Sequence, residues 1–289
     1  MSAPGSDSSR VLHPALAVAA TVAGVVAMTM GGLALARSSG LGLRAQIAVG
    51  TGLLALPTIA ILLVLRGRTW RDTLSLSSLA PRTLGLSVLL GGALWVLSIG
   101  LMELQSLIWP PPPEYLELFR ALHRALAPKD AFDALVSVAV IAVAPGVLEE
   151  VVVRGVLLPS LVGRLADRGG SAPRDFRHGL LSPAWAILAS AFLFAAIHFD
   201  LYRFLFTFTI GLILGALRLR TGSLWPPIVA HVTLNALTFL IVPLVDDPTQ
   251  TTYTPQPVLG VAALLAGTAV ALPLLKALRP SVDSTQTAP

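Results

Sequence analysis

Eight apolar stretches, separated by charged or turn-forming residues, leave this chain few ways to fold. They are Ala15–Ala36, Ala45–Leu65, Thr83–Met102, Ala134–Leu148, Leu180–Phe199, Phe204–Leu217, Leu224–Val245 and Pro257–Leu275. At 1.5 Å of rise per residue, about 20 apolar residues are needed to cross about 30 Å of hydrocarbon. The fourth and sixth stretches are short by that measure, and the fourth is expected to run on past Glu149. The pattern predicts an all-α fold, a polytopic membrane helix bundle of about eight transmembrane helices. Composition agrees. Charged residues make up only 12% of 289 and mean hydropathy is +0.79, whereas a soluble domain holds about 25% charged residues. The first stretch ends in Ala34-Leu35-Ala36, which resembles a signal cleavage site. Its apolar run is longer than a signal's core of about 7–15 residues, so it is read as an uncleaved first span.

The basic balance, 20 Lys+Arg against 15 Asp+Glu, does not point to nucleic acid. Nineteen of the 20 basic residues fall in loops or at span ends, where they signal topology. With eight spans, 13 of them share the side of the two termini and 6 lie opposite. That bias predicts a multi-pass protein of the cell (inner) membrane with both termini cytoplasmic. There is no cysteine, which excludes disulfides, thiolate metal sites and a cysteine nucleophile. Residues 1–14 and 280–289 read as disordered cytoplasmic ends, and 15–279 as a single transmembrane helical domain. Pro110–Pro113 form a stiff polyproline stretch. After it, Tyr115, Phe119, Leu122 and Leu126 share a helical face, which suits a helix on the membrane surface or one packed on loops.

The twentieth basic residue, Arg154, belongs to the chemistry. Ionisable side chains within a span cost several kcal/mol unless paired or hydrated, and mark functional sites by default. Three groups gather in three spans. Glu149-Glu150-Val151-Val152-Val153-Arg154 places Glu150 and Arg154 four apart on one helical face, where they can pair. Glu149 is turned about 100° away, which frees one carboxylate. Phe194-Ala195-Ala196-Ile197-His198 lies late in the fifth stretch. In the seventh, His231-Val232-Thr233-Leu234-Asn235 again puts two polar groups on one face. The plainer readings are a helix end with interfacial charges and histidines that bond a neighbouring helix. Together, however, the groups supply amide hydrolysis: a carboxylate to take a proton from water, a histidine to share it, and His and amide donors for an oxyanion. The same Glu149, His198 and His231 also suit a zinc ion that activates the water, and spacing does not choose between the two. No His is followed by Glu, and neither Gly-x-Gly-Asp nor Gly-x-Ser-x-Gly occurs.

In order and context, Glu149-Glu150-x-x-x-Arg154, Phe194-x-x-x-His198 and His231-x-x-x-Asn235 resemble the three motifs of the CAAX protease and bacteriocin-processing (CPBP, or Abi) family. That family includes the Ras-converting CAAX endopeptidases. Thr221-Gly222-Ser223-Leu224-Trp225 resembles the lead-in of bacterial members. The resemblance covers about 134–245, taken as the catalytic core. It implies proteolysis of a membrane-anchored protein or peptide near its carboxyl end, in a cavity open to the cytoplasm and within the lipid bilayer. Glu149 would be the catalytic carboxylate and His198 its partner. His231 and Asn235 would hold the oxyanion, while Glu150, Arg154 and Phe194 would support the site. A non-catalytic scaffold or immunity-type protein and a proton-coupled transporter remain as other readings, but no internal repeat favours the transporter. Depth poses one condition. The fifth span runs outwards and carries His198 towards the far surface, whereas Glu149 lies towards the cytoplasmic one. They meet if the fourth span continues beyond Arg154 and the fifth begins recessed.

Overall fold

The structure is a computed structural model that describes residues 12–38, 40–66, 70–76, 79–162, 181–245 and 252–278. The segments expected to be disordered fall outside these, except Leu12–Pro14, as do Arg10, Arg68, Arg164, Arg168, Arg174, Arg177 and Arg279. Leu12 is buried against Leu62, Leu74 and Val156, so ordered packing begins before the first apolar stretch.

Among the described residues there is no strand. The helices are α1 (Pro14–Ser38), α2 (Leu43–Arg66), α3 (Trp70–Leu74), α4 (Pro81–Ser106) and α5 (Pro113–Leu126). They continue with α6 (Ala131–Val162), α7 (Pro183–Ala196), α8 (Leu201–Thr221), α9 (Trp225–Val245) and α10 (Pro257–Ala277). Six of them (α1, α2, α4, α6, α8 and α10) are long and apolar enough to cross a membrane, and α7 and α9 carry shorter apolar segments. The chain is thus an all-helical multi-pass membrane protein. Two lengths differ from expectation. The fourth span, read as short, is the longest helix at 32 residues, and the fifth is only 14 residues.

The length of α6 comes with two π-helical turns, Ala139–Val143 and Val151–Leu157. Each ends just before a proline, Pro145 or Pro159. Proline lacks the N–H that would continue the ladder. The residue before it bonds five residues back instead: Ala144 N–H to the Ala139 carbonyl, and Leu158 N–H to that of Val153.

The bundle is held by close helix contacts at small residues, the usual device where lipid removes the hydrophobic drive between helices. α4 packs on α9 and α10, α1 on α2, and α7 on α8. At Gly91 of α4, an added Cβ would lie 2.5 Å from the carbonyl oxygen of Ala230, the residue before His231. Backbone cannot yield as a flexible side chain can. Gly91→Ala should therefore displace α9 and cost about 1–3 kcal/mol, as overpacking does. Its melting temperature in detergent should fall, and an unchanged value would mean that α4 does not fix the height of α9.

Two tyrosine latches close one end of the bundle. Tyr115 of α5 donates to Asp200 Oδ2 at 2.8 Å and packs at a tilt against Tyr202, with ring centroids 4.7 Å apart. Burial and the Asp200 carboxylate push the Tyr115 phenol well above its ordinary value, so it stays a donor. Tyr253 donates likewise to Glu103, which is buried and also accepts the Gln256 backbone N–H at 2.7 Å. α5 is amphipathic as expected. Leu126 is buried, Leu118 and Leu122 remain exposed, and its far end is held by Arg44 through the Leu126 carbonyl.

Candidate active site

Glu149 and Glu150 sit at the junction between the regular turn Ala144–Glu150 and the second π-helical turn of α6. Gly146, one turn earlier, lets α9 come close, because a Cβ there would lie 2.7 Å from Val232 Cγ2. This approach brings His231 to α6.

The pair anticipated from spacing is present. Arg154 Nη1 donates to Glu150 Oε1 at 2.7 Å, and both side chains are 0% exposed. Arg154 Nη2 donates to the Gly211 carbonyl of α8 at 3.2 Å, and the guanidinium lies 4.2 Å from the Phe194 ring centroid. Glu150 has a second partner: His231 Nδ1 lies 2.9 Å from the same Oε1. A carboxylate paired with arginine accepts, so Nδ1 carries the proton, and Nε2 is the pole left over. That Nε2 faces Glu149 Oε2 at 3.9 Å.

His198 occupies the turn between α7 and α8. Its Nδ1 donates to the Phe194 carbonyl at 2.8 Å, which leaves Nε2 as an acceptor. The turn is tight: Phe199 has φ 51°, a left-handed conformation that costs a bulky residue of order 1–3 kcal/mol. Asp200 then caps α8 by accepting from Tyr202 and Arg203 N–H. Phe194 stands edge-on between the two imidazoles, with its centroid 5.1 Å from His198 and 5.6 Å from His231. The depth condition is met on one count. α6 runs to Val162, well past Arg154. On the other, α7 is short, and His198 lies just beyond its end.

Asn235 lies one turn along α9 from His231 and is half-buried. Its side-chain amide has no partner among the described residues. The candidate residues therefore divide. Glu150, Arg154 and Phe194 are engaged with one another. Glu149, His198 Nε2, His231 Nε2 and Asn235 make no hydrogen bond to another described side chain or backbone group. The imidazole within 4 Å of Glu149 is that of His231, whereas the partner implied by the family resemblance was His198.

For zinc, the donors named were Glu149, His198 and His231. Among the described residues, no three His, Asp or Glu side chains are grouped to hold a metal ion. Glu149 and His231 approach each other, but His198 is directed by Phe194 rather than joined to them.

The burial of Arg218 was not expected, since it counted among the basic residues in loops or at span ends. Arg218 lies in the last turn of α8, is 0% exposed, and donates from Nε to the Arg154 carbonyl at 3.0 Å. The available signal was spacing: Gly211, Gly215 and Arg218 fall on one helical face.

No curated protein and no solved structure matches the chain. A family model described as type II CAAX prenyl endopeptidase, Rce1-like, matches residues 131–237, from the start of α6 to just past Asn235. The match covers part of the chain and is consistent with its resemblance, through the three motifs, to the CAAX protease (CPBP) family.

Proposed function

We propose that the protein is an intramembrane endopeptidase that cuts a membrane-anchored protein near its carboxyl end, using Glu149 as the general base. The observation that carries this reading is the division of the polar residues. One set is consumed in holding α6, α8 and α9 together, while Glu149, His198 Nε2, His231 Nε2 and Asn235 keep unspent hydrogen-bonding atoms around Phe194. Buried polar groups without partners are costly, so a substrate and a water are their natural occupants.

In this mechanism, water lies against Glu149, which takes one proton as the oxygen attacks the scissile carbonyl. His198 Nε2 accepts a hydrogen bond from the water's other O–H and so aims the water. The proton on Glu149 is shared with His231 Nε2 once the 3.9 Å gap closes in the complex. The ring then becomes a donor to the oxyanion as the negative charge forms. Asn235 donates alongside it. Collapse of the tetrahedral intermediate breaks the C–N bond, and the proton returns to the leaving amine.

The decisive experiment is comparative membrane proteomics of a strain lacking the protein and one carrying Glu149→Gln. The same uncut membrane protein should accumulate in both. A set of uncut proteins in neither strain would end the protease reading.

Glutamate-dependent chemistry without a metal is part of the proposal, because no three of the described His, Asp and Glu side chains are grouped to hold a metal ion. Cleavage by purified protein should survive chelators, and metal analysis should return well under one ion per chain. Loss of activity on chelation, with recovery on adding zinc, would overturn it. Both termini are assigned to the cytoplasm on the 13-to-6 split of basic residues. Reporter fusions at residue 289 and between Asp246 and Gln256 should then report opposite sides.

A further inference from the structure

We infer that Arg218 is a receptor for the free carboxylate of a bound peptide, seated against the α6 backbone at Arg154, five residues on from the proposed catalytic carboxylate. This rests on the endopeptidase reading above and adds how the chain end is held.

Leu158 N–H is committed to the Val153 carbonyl, and Pro159 has no N–H, so the Arg154 carbonyl has no donor within its own helix. Arg218 Nε fills that vacancy at 3.0 Å. Glutamine would fill it equally, because its amide nitrogen stands at the same distance along the side chain. The backbone thus explains one N–H and neither the charge nor the rest of the guanidinium.

Nη1 and Nη2 are fully buried, and among the described residues they have no hydrogen-bond partner and no carboxylate within ion-pair distance. A guanidinium in this state is among the costliest groups a membrane protein can hold. Its unbonded edge holds coplanar N–H groups that match two oxygens of a carboxylate, which must enter by displacing the side chains that now enclose it.

Position selects the source. Nε holds the Arg154 carbonyl, and the Arg154 side chain holds Glu150, the neighbour of Glu149. A substrate cut near its end brings one carboxylate within a few residues of the scissile bond. A lipid phosphate would approach from the periphery, whereas Arg218 lies on the inward face of α8 with Gly211 and Gly215.

The test uses the full chain in neutral detergent at fixed ionic strength. The probes are an acetylated apolar tripeptide with a free carboxylate and the same tripeptide as its carboxamide. The free acid should raise the melting temperature by a few degrees near saturation, and the amide should not. Arg218→Gln should abolish the difference while being at least as stable as wild type without ligand. Equal shifts for acid and amide, no shift with the acid, or the same shift in Arg218→Gln would each overturn the inference. A shift produced by phosphatidylglycerol but not by the acid would give the site to a lipid phosphate and overturn it as well. The wild-type acid–amide comparison decides the matter even if the variant does not fold. No cleavage is read, so this result and the proteomic one fail separately.

Discussion

Glu149→Gln should lower kcat by at least about 100-fold, the usual contribution of a positioned general base, and leave the melting temperature within about a degree of wild type. The substitution keeps volume and hydrogen-bonding capacity and removes only the basic oxygen. The fold has little invested in that carboxylate, whose nearest ionic neighbour, His231 Nε2, is 3.9 Å away. Its neighbour in sequence, Glu150, has taken the structural work. Turnover of the protein identified in the proteomic comparison, measured beside a melting curve of the same preparation, gives both numbers. Full activity in Glu149→Gln would remove the carboxylate mechanism.

Arg154→Ala should do the reverse and strike stability first. Arg154 is fully buried, pairs with Glu150 at 2.7 Å, bonds the Gly211 carbonyl and lies on the Phe194 ring. Its removal strips Glu150 of its permanent counter-charge and α6 of its tie to α8. Breaking a buried ion pair from one side costs about 3–5 kcal/mol, because the remaining charge stays buried. The expected outcome is a large drop in melting temperature and abundance, with any residual folded protein impaired. A double variant, Glu150→Gln with Arg154→Met, should recover much of the stability because no charge is stranded. Unchanged stability with lost activity in Arg154→Ala would move Arg154 into the reacting set.

The sequence made part of this site legible. Charges inside apolar stretches stood out against their surroundings, and the four-residue spacing of Glu150 and Arg154 correctly anticipated their pairing. The number of rods was also readable, since lipid enforces a length on apolar helices. What escaped were contacts between residues far apart in the chain. His231 and Glu150 are 81 positions apart, and no local pattern announces their hydrogen bond. Glu103 fell just outside a span read as ending at Met102, yet it is buried under Tyr253 because α4 continues to Ser106. The burial of Arg218 was missed because a charge at the end of an apolar run looks interfacial. Helix lengths erred where local chemistry overrode hydropathy: α7 stops at a turn set by Phe199 and Asp200, and α6 passes straight through its own charges.

The two π-helical turns of α6 also bear on how this helix tolerates change in length. A π turn holds one residue more than the regular helix would over the same rise, and each residue advances the helix by about 100°. Removing a single residue between Val151 and Leu157 would leave a continuous helix with sound backbone bonding. Because the surplus residue takes up no extra rise, the helix beyond it would stay close to its present phase, with Leu158 and Leu161 still turned towards Ala186 and Ile187 of α7. The same deletion in a regular turn of α6 would instead rotate everything beyond it by about 100°. The π turns are thus the places where this helix can change its length by one residue and keep its packing.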